Sequence, residues 1–93
     1  VKLRWSIAAR RDFAEARHFI AAENPTAARS WANRIRRSVD RIQRFPLGGL
    51  ALEQTGLRAT SVPGTAYRIV YAVQSDIIVI VAVWHGAREW PFD

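Results

Sequence analysis

Tyr67-Arg68-Ile69-Val70-Tyr71-Ala72-Val73, then Gln74-Ser75-Asp76, then Ile77-Ile78-Val79-Ile80-Val81-Ala82-Val83-Trp84: this stretch, residues 67–84, decides the fold. Its two arms are β-branched and aromatic, and the polar triplet between them suits a tight connection, so it reads as two antiparallel strands. Ile77 to Trp84 is apolar on both faces, as expected of a central strand with helices on one side and something else on the other. Upstream, Leu57 to Val62 is a candidate strand ended by Pro63-Gly64, where proline presets φ and glycine supplies positive φ. The C-terminal half is therefore a three-stranded meander. The tail Gly86 to Asp93 is too short for another long element.

The N-terminal half has the helical period instead. From Ala8 to Glu23 there is no glycine or proline, and Ala9, Phe13, Ala16 and Ile20 recur on one face with Phe19 beside them. Ser6 is the candidate N-cap. Asn24-Pro25 is a stop and a restart, with asparagine capping the next helix and proline where its missing N–H is harmless. The second helix runs to Arg44, with Ala28, Trp31, Ile35, Val39, Ile42 and Phe45 on the apolar stripe and Arg34, Arg37, Arg41 and Arg44 on another. The short joint predicts an antiparallel helical hairpin. Pro46 ends the helix, and Leu47-Gly48-Gly49-Leu50 reads as a turn or irregular loop. At the N-terminus Val1, Leu3 and Trp5 share one face of a short strand. The predicted fold is α+β: an N-terminal strand, the hairpin, then the meander, forming an antiparallel sheet with helices on one face in a single domain over residues 1–93.

Composition bounds the function. Ninety-three residues, 49% of them apolar and 24% charged, suit one small globular core. The absence of cysteine excludes disulfides and thiol catalysis, and fits the cytoplasm. The longest uncharged run, Ile77 to Ala87, is eleven residues, against about 20 for a membrane-spanning helix, so no membrane role is expected. The net charge of +6 is concentrated: residues 1–46 carry eleven basic and four acidic side chains, a net +7, and residues 47–93 carry three and four, a net −1. Such asymmetry implies an acidic partner for the first half, whether nucleic acid or an acidic protein segment.

Several chemistries drop out. There is no phosphate-binding glycine loop followed by lysine, no nucleophile elbow, and only His18 and His85 as histidines, so neither a cofactor nor a metal is expected. What remains is polar side chains on the meander. Tyr67 alternates with Arg68, and Arg68 sits among apolar neighbours, where a guanidinium needs a partner such as Asp76, Glu53 or Glu89, or a function. His85 and Arg88 fall at the same edge of the sheet. Such a cluster could hold a phosphodiester, with the arginines on its charge and histidine moving a proton, or receive a partner's carboxylate.

Asn24-Pro25-Thr26-Ala27-Ala28, Phe45-Pro46-Leu47-Gly48-Gly49, Gly56-Leu57-Arg58, Tyr67-Arg68-Ile69-Val70-Tyr71 and Val83-Trp84-His85-Gly86-Ala87-Arg88 together resemble, in order and over essentially the whole chain, the RelE/ParE family of bacterial toxins. The resemblance implies a type II toxin–antitoxin system. The toxin is neutralised by a cognate acidic antitoxin of ParD-like or related type that wraps it, touches operator DNA only through that antitoxin, and enters a higher-order hetero-oligomer. It also implies one of two activities. ParE-like members poison DNA gyrase without a catalytic set; RelE-like members are ribosome-dependent mRNA endonucleases, for which Arg68, His85 and Arg88 would be the matching residues. Departures favour the gyrase branch: Leu57-Arg58-Ala59-Thr60-Ser61 offers Arg58 alone where the nucleases pair lysines, and Phe92 stands near where they carry a tyrosine. The remaining partner-binding candidates are Arg34, Arg37, Arg41, Arg44 and Tyr67.

Overall fold

The computed structural model describes residues 1–92. Strand β1 (Lys2–Trp5) leads into helix α1 (Ile7–Glu23) and helix α2 (Pro25–Arg44). A 3₁₀ turn at Pro46–Gly48 then precedes β2 (Leu50–Leu52), β3 (Leu57–Ser61), β4 (Tyr67–Gln74) and β5 (Ile77–His85). Local chemistry sets the helix ends. The Ser6 hydroxyl accepts the Ala9 N–H at 3.0 Å, and the Asn24 side chain accepts that of Ala27 at 3.0 Å. Asn24 also closes the helix before it, donating its own N–H to the Ile20 carbonyl at 2.9 Å. One residue thus ends α1 and starts α2.

The helices lie on one face of the sheet. Ala9, Trp31, Ile35, Val39 and Ile42 interlock there with Ile69, Tyr71, Ile78, Ile80 and Val83, with Phe13, Ala16 and Ile20 packed alongside. Two residues leave the expected stripes. Phe19 is 78% exposed, and Phe45 is 64% exposed because it is the α2 C-cap, with φ −132°, so its side chain departs from the helical stripe.

The sheet has five strands in the order β1-β5-β4-β3-β2. Two details differ from the sequence reading. The sheet is mixed, because β1 runs parallel to β5 from Lys2↔Ile77 to Trp5↔Ile80; the helical pair and the meander together return the chain to its starting edge in the same sense. The stretch expected as irregular loop also contributes a strand, β2, antiparallel to β3. Its approach is fixed from the core: the buried Tyr71 hydroxyl donates to the Pro46 carbonyl at 2.8 Å and accepts the Gly49 N–H at 2.9 Å. A Cβ at Gly49 would collide with that hydroxyl, so only glycine permits the approach.

A β-bulge interrupts β5. Val70 pairs with Ala82 and Tyr71 with Ile80, leaving Val81 extra. Val81 and Ala82 therefore both pack on the face away from the helices, and the strand edge beyond Trp5 is completed by side chains. The Ser6 hydroxyl donates to the Val81 carbonyl at 3.1 Å, and Asp12 Oδ2 accepts the Val83 N–H at 3.0 Å. That far face carries a second, smaller cluster of Ala59, Val70 and Ala82, against which Trp84, Trp90 and Phe92 pack. The tail, too short for an element, is what covers the other side of the central strand.

Candidate functional site

Three surfaces collect the residues singled out from the sequence. At the C-terminal end of β5, Tyr67 pairs with His85 and Arg68 with Trp84. Neighbouring residues point to opposite faces, so the first pair lies on the helix side and the second on the far side. The Tyr67 and His85 rings meet edge to face at 4.9 Å between centroids, closing a chain of aromatics that runs back through Trp31, Phe13 and Trp5. Nδ1 of His85 accepts the Ala87 N–H at 2.9 Å, which commits one ring nitrogen to the turn. Burial pushes the Tyr67 phenol above its usual pKa, and the Arg88 charge opposes that rise.

Arg68 is the second residue of β4, exposed beyond the apolar part of the strand rather than buried within it. Its guanidinium lies 5.1 Å from the Trp90 ring centroid, and that of Arg88 lies 3.9 Å from Trp84. Aromatic faces, rather than Asp76, Glu53 or Glu89, receive these cations. Sequence inspection passed over both tryptophans as platforms; the four-residue spacing of Trp84 and Arg88 was a usable signal, whereas Trp90 lies twenty-two residues beyond Arg68 and only the fold brings those two together. Arg68, His85 and Arg88 thus share one end of the sheet, with His85 on the side opposite Arg68.

The arginine row of α2 is solvent-exposed throughout. Arg34 is held in place: its Nη1 donates to the Pro63 carbonyl at 3.2 Å, and its guanidinium rests on Gly64, whose φ of +76° and missing Cβ make the space. Arg34, Arg37, Ser38, Arg41 and Pro63 line a small, half-open pocket of about 110 Å³. Arg58 belongs elsewhere, donating from Nη1 to the carbonyls of Leu47 at 3.2 Å and Gly49 at 2.9 Å, and so tethering the loop into β2.

The third surface is a groove of about 520 Å³ between β1 and the helices. Leu3, Trp5, Phe13 and Val39 form its floor, and Arg10 and Arg36 lie on its rim. The Arg36 guanidinium stands 5.6 Å from the Phe13 ring centroid. The groove adjoins an open sheet edge: the Lys2 N–H donates to the Asp76 carbonyl just before β5 and the Ser6 N–H to the Ile80 carbonyl within it, so the intervening Leu3 and Trp5 amides alternate away from β5. Arg10 and Arg36 were missed in the sequence because they fall outside the conspicuous arginine stripe. Among the described residues no group of three or more His, Asp or Glu side chains could hold a metal ion, and no helix is long and apolar enough to cross a membrane.

The family model described as ParE toxin of the type II toxin–antitoxin system parDE matches residues 3–90. The chain belongs to the ParE toxin family. Among relatives of this ParE-family toxin, the candidate toxin Y4kP of Sinorhizobium fredii is 28% identical over 90 residues, covering 97% of this chain and 93% of that protein. In structure the toxin is similar to a chain of the chromosomal ParDE system of P. aeruginosa, with a TM-score of 0.80 at 18% identity over 91% of this chain and 95% of that one. A YoeB/ParE toxin from Agrobacterium tumefaciens follows at 0.64 and 16% identity, over 91% and 98% of the two chains. These likenesses establish a shared fold; the family assignment rests on the sequence match.

Proposed function

We propose that this toxin acts by binding DNA gyrase and stabilising its cleaved DNA complex, without catalysing a reaction itself. The observation that carries the reading is the division of Arg68, His85 and Arg88. The two arginines lie on tryptophan faces while His85 packs on Tyr67, so among the described residues the histidine and Arg68 stand on opposite faces of the sheet. Arg58, the remaining cation of β3, is occupied by loop carbonyls. The test is a supercoiling and cleavage assay with gyrase from the native host. Loss of supercoiling with trapped linear DNA is expected, and neither effect at micromolar toxin would sink the reading.

Antitoxin binding is assigned to the groove beside β1. An apolar floor lined by two arginines, Arg10 and Arg36, against one acid, Asp40, suits an acidic segment carrying apolar anchors, and the open edge of β1 offers backbone partners to an added strand. Opposite charge makes association fast and sensitive to salt. Replacing Arg10 and Arg36 together by glutamine is expected to slow association at low salt and to flatten its salt dependence in stopped-flow measurements. A rate unchanged at every salt concentration moves the antitoxin to another surface.

A second reading has one observation in its favour. Arg68 and Arg88 occupy the same end of the sheet, a placement compatible with gripping RNA phosphates in a ribosome-dependent nuclease. Primer extension on translating ribosomes discriminates: codon-linked cuts abolished by Arg68→Ala with His85→Ala would replace the gyrase reading.

A further inference from the structure

We infer that the pocket framed by Arg34, Arg37 and Arg41 is an oxyanion site that takes a backbone phosphate of duplex DNA, giving the toxin a DNA contact of its own. The inference goes beyond the choice of target enzyme and holds whichever one is engaged. Its ground is the lining. Three guanidinium-bearing residues, one serine and one proline line a half-open pocket of about 110 Å³, and no carboxylate is among them. That is room for one tetrahedral or planar oxyanion, with an open side through which a longer polyanion can continue. Arg34 is pre-positioned there by the Pro63 carbonyl and by the absent side chain of Gly64, with most of its five N–H donors left over.

Chemistry separates this surface from the antitoxin groove. The groove has an aromatic and aliphatic floor and an acid, Asp40, in its lining, which fits a peptide with apolar anchors. The arginine pocket has no aromatic or aliphatic side chain beyond Pro63, so an amphipathic peptide gains little in it. A repeating, rigid polyanion gains more. The row from Arg34 to Arg44 extends about 15 Å along the helix. Duplex DNA offers one charge per about 1.7 Å of axis. Arginine's fork binds phosphate oxygens in pairs, and the contact carries no base information.

The experiment is fluorescence anisotropy of a labelled 20-base-pair duplex with the full chain, between 50 and 200 mM KCl. Three phosphate contacts correspond to a slope of log affinity against log salt near −2.7, about a 40-fold loss over that range. Arg37→Gln/Arg41→Gln is expected to remove about 1.8 from the slope, and Arg10→Gln/Arg36→Gln, at the groove beside β1, to leave it unchanged. Arg37→Lys/Arg41→Lys keeps the charge and loses the fork, so it retains the slope while weakening binding; it also decides the matter if the glutamine variant fails to fold. An unaltered slope in Arg37→Gln/Arg41→Gln, or an equal drop in Arg10→Gln/Arg36→Gln, overturns the site in favour of diffuse attraction. Displacement of the duplex by a polyglutamate peptide at equal charge concentration overturns it in favour of a carboxylate site. Absence of duplex binding by the parent toxin while gyrase inhibition is intact removes the present inference and leaves the proposed target standing.

Discussion

At the scale of single residues, the Tyr71 hydroxyl has the clearest energetic consequence. It satisfies Pro46 and Gly49 at once from a fully buried position, so Tyr71→Phe leaves two backbone groups short of a partner. A loss of about 1–3 kcal/mol is expected in urea melts, with faster amide exchange at Gly49 as its local sign. Gly49→Ala should be damaging with tyrosine at 71 and less so with phenylalanine, since the colliding atom is then gone; a double-mutant cycle reads that coupling. Tyr67 supplies a pH signature. Its phenol is raised by burial above the unfolded value of 10.0, so the folded state holds the proton more tightly. The corresponding stability is complete below pH 10 and disappears as pH climbs through the higher folded pKa. Arg88→Gln removes the opposing charge and should shift the Tyr67 titration further upward, followed through its ring carbon by NMR.

At the scale of elements, α2 separates its two stripes cleanly. Ile35 is fully buried, and Ile35→Ala is expected to cost roughly 2–5 kcal/mol through lost transfer energy and the cavity left behind. Arg37→Ala/Arg41→Ala touches only exposed positions and should melt within about 0.5 kcal/mol per site of the parent. An arginine variant that melts as early as Ile35→Ala would falsify the assignment of that face to partners. Asp12 behaves differently from other surface acids, since it accepts the Val83 N–H at the edge β1 leaves open; Asp12→Ala should speed exchange of that amide and destabilise by about 1–3 kcal/mol. These elements differ in how far the sequence disclosed them. Both helices and the three long strands were legible because period and caps agreed along each segment. Strand β2 was not, since Leu50-Ala51-Leu52 is stabilised by an arginine and a tyrosine from other strands. Nor was the parallel sense of β1, which depends on where the chain returns seventy-five residues later. The cations were visible, but their partners were tryptophan faces that only the cross-strand register brings together.

At the scale of the whole molecule, the sheet separates two tasks. Its helix side carries the aromatic chain and the large core, and its far side is closed by the tail through Trp84, Trp90 and Phe92. Trp84 contributes there through its ring alone, its Nε1 being buried with no hydrogen-bond partner among the described residues. The groove beside β1 and the arginine row on α2 lie at the rims of this arrangement. The extra residue in β5 has a bearing on ancestry. Because Val81 is spare in the pairing with β4, a chain one residue shorter at that point would keep Arg68 opposite Trp84 and Tyr67 opposite His85, losing the Ser6 contact, the Val81 packing on the far face and the local bend. Length changes in the lineage can therefore accumulate at position 81 without disturbing the end of the sheet, so relatives aligned with a one-residue gap there should still superpose on it.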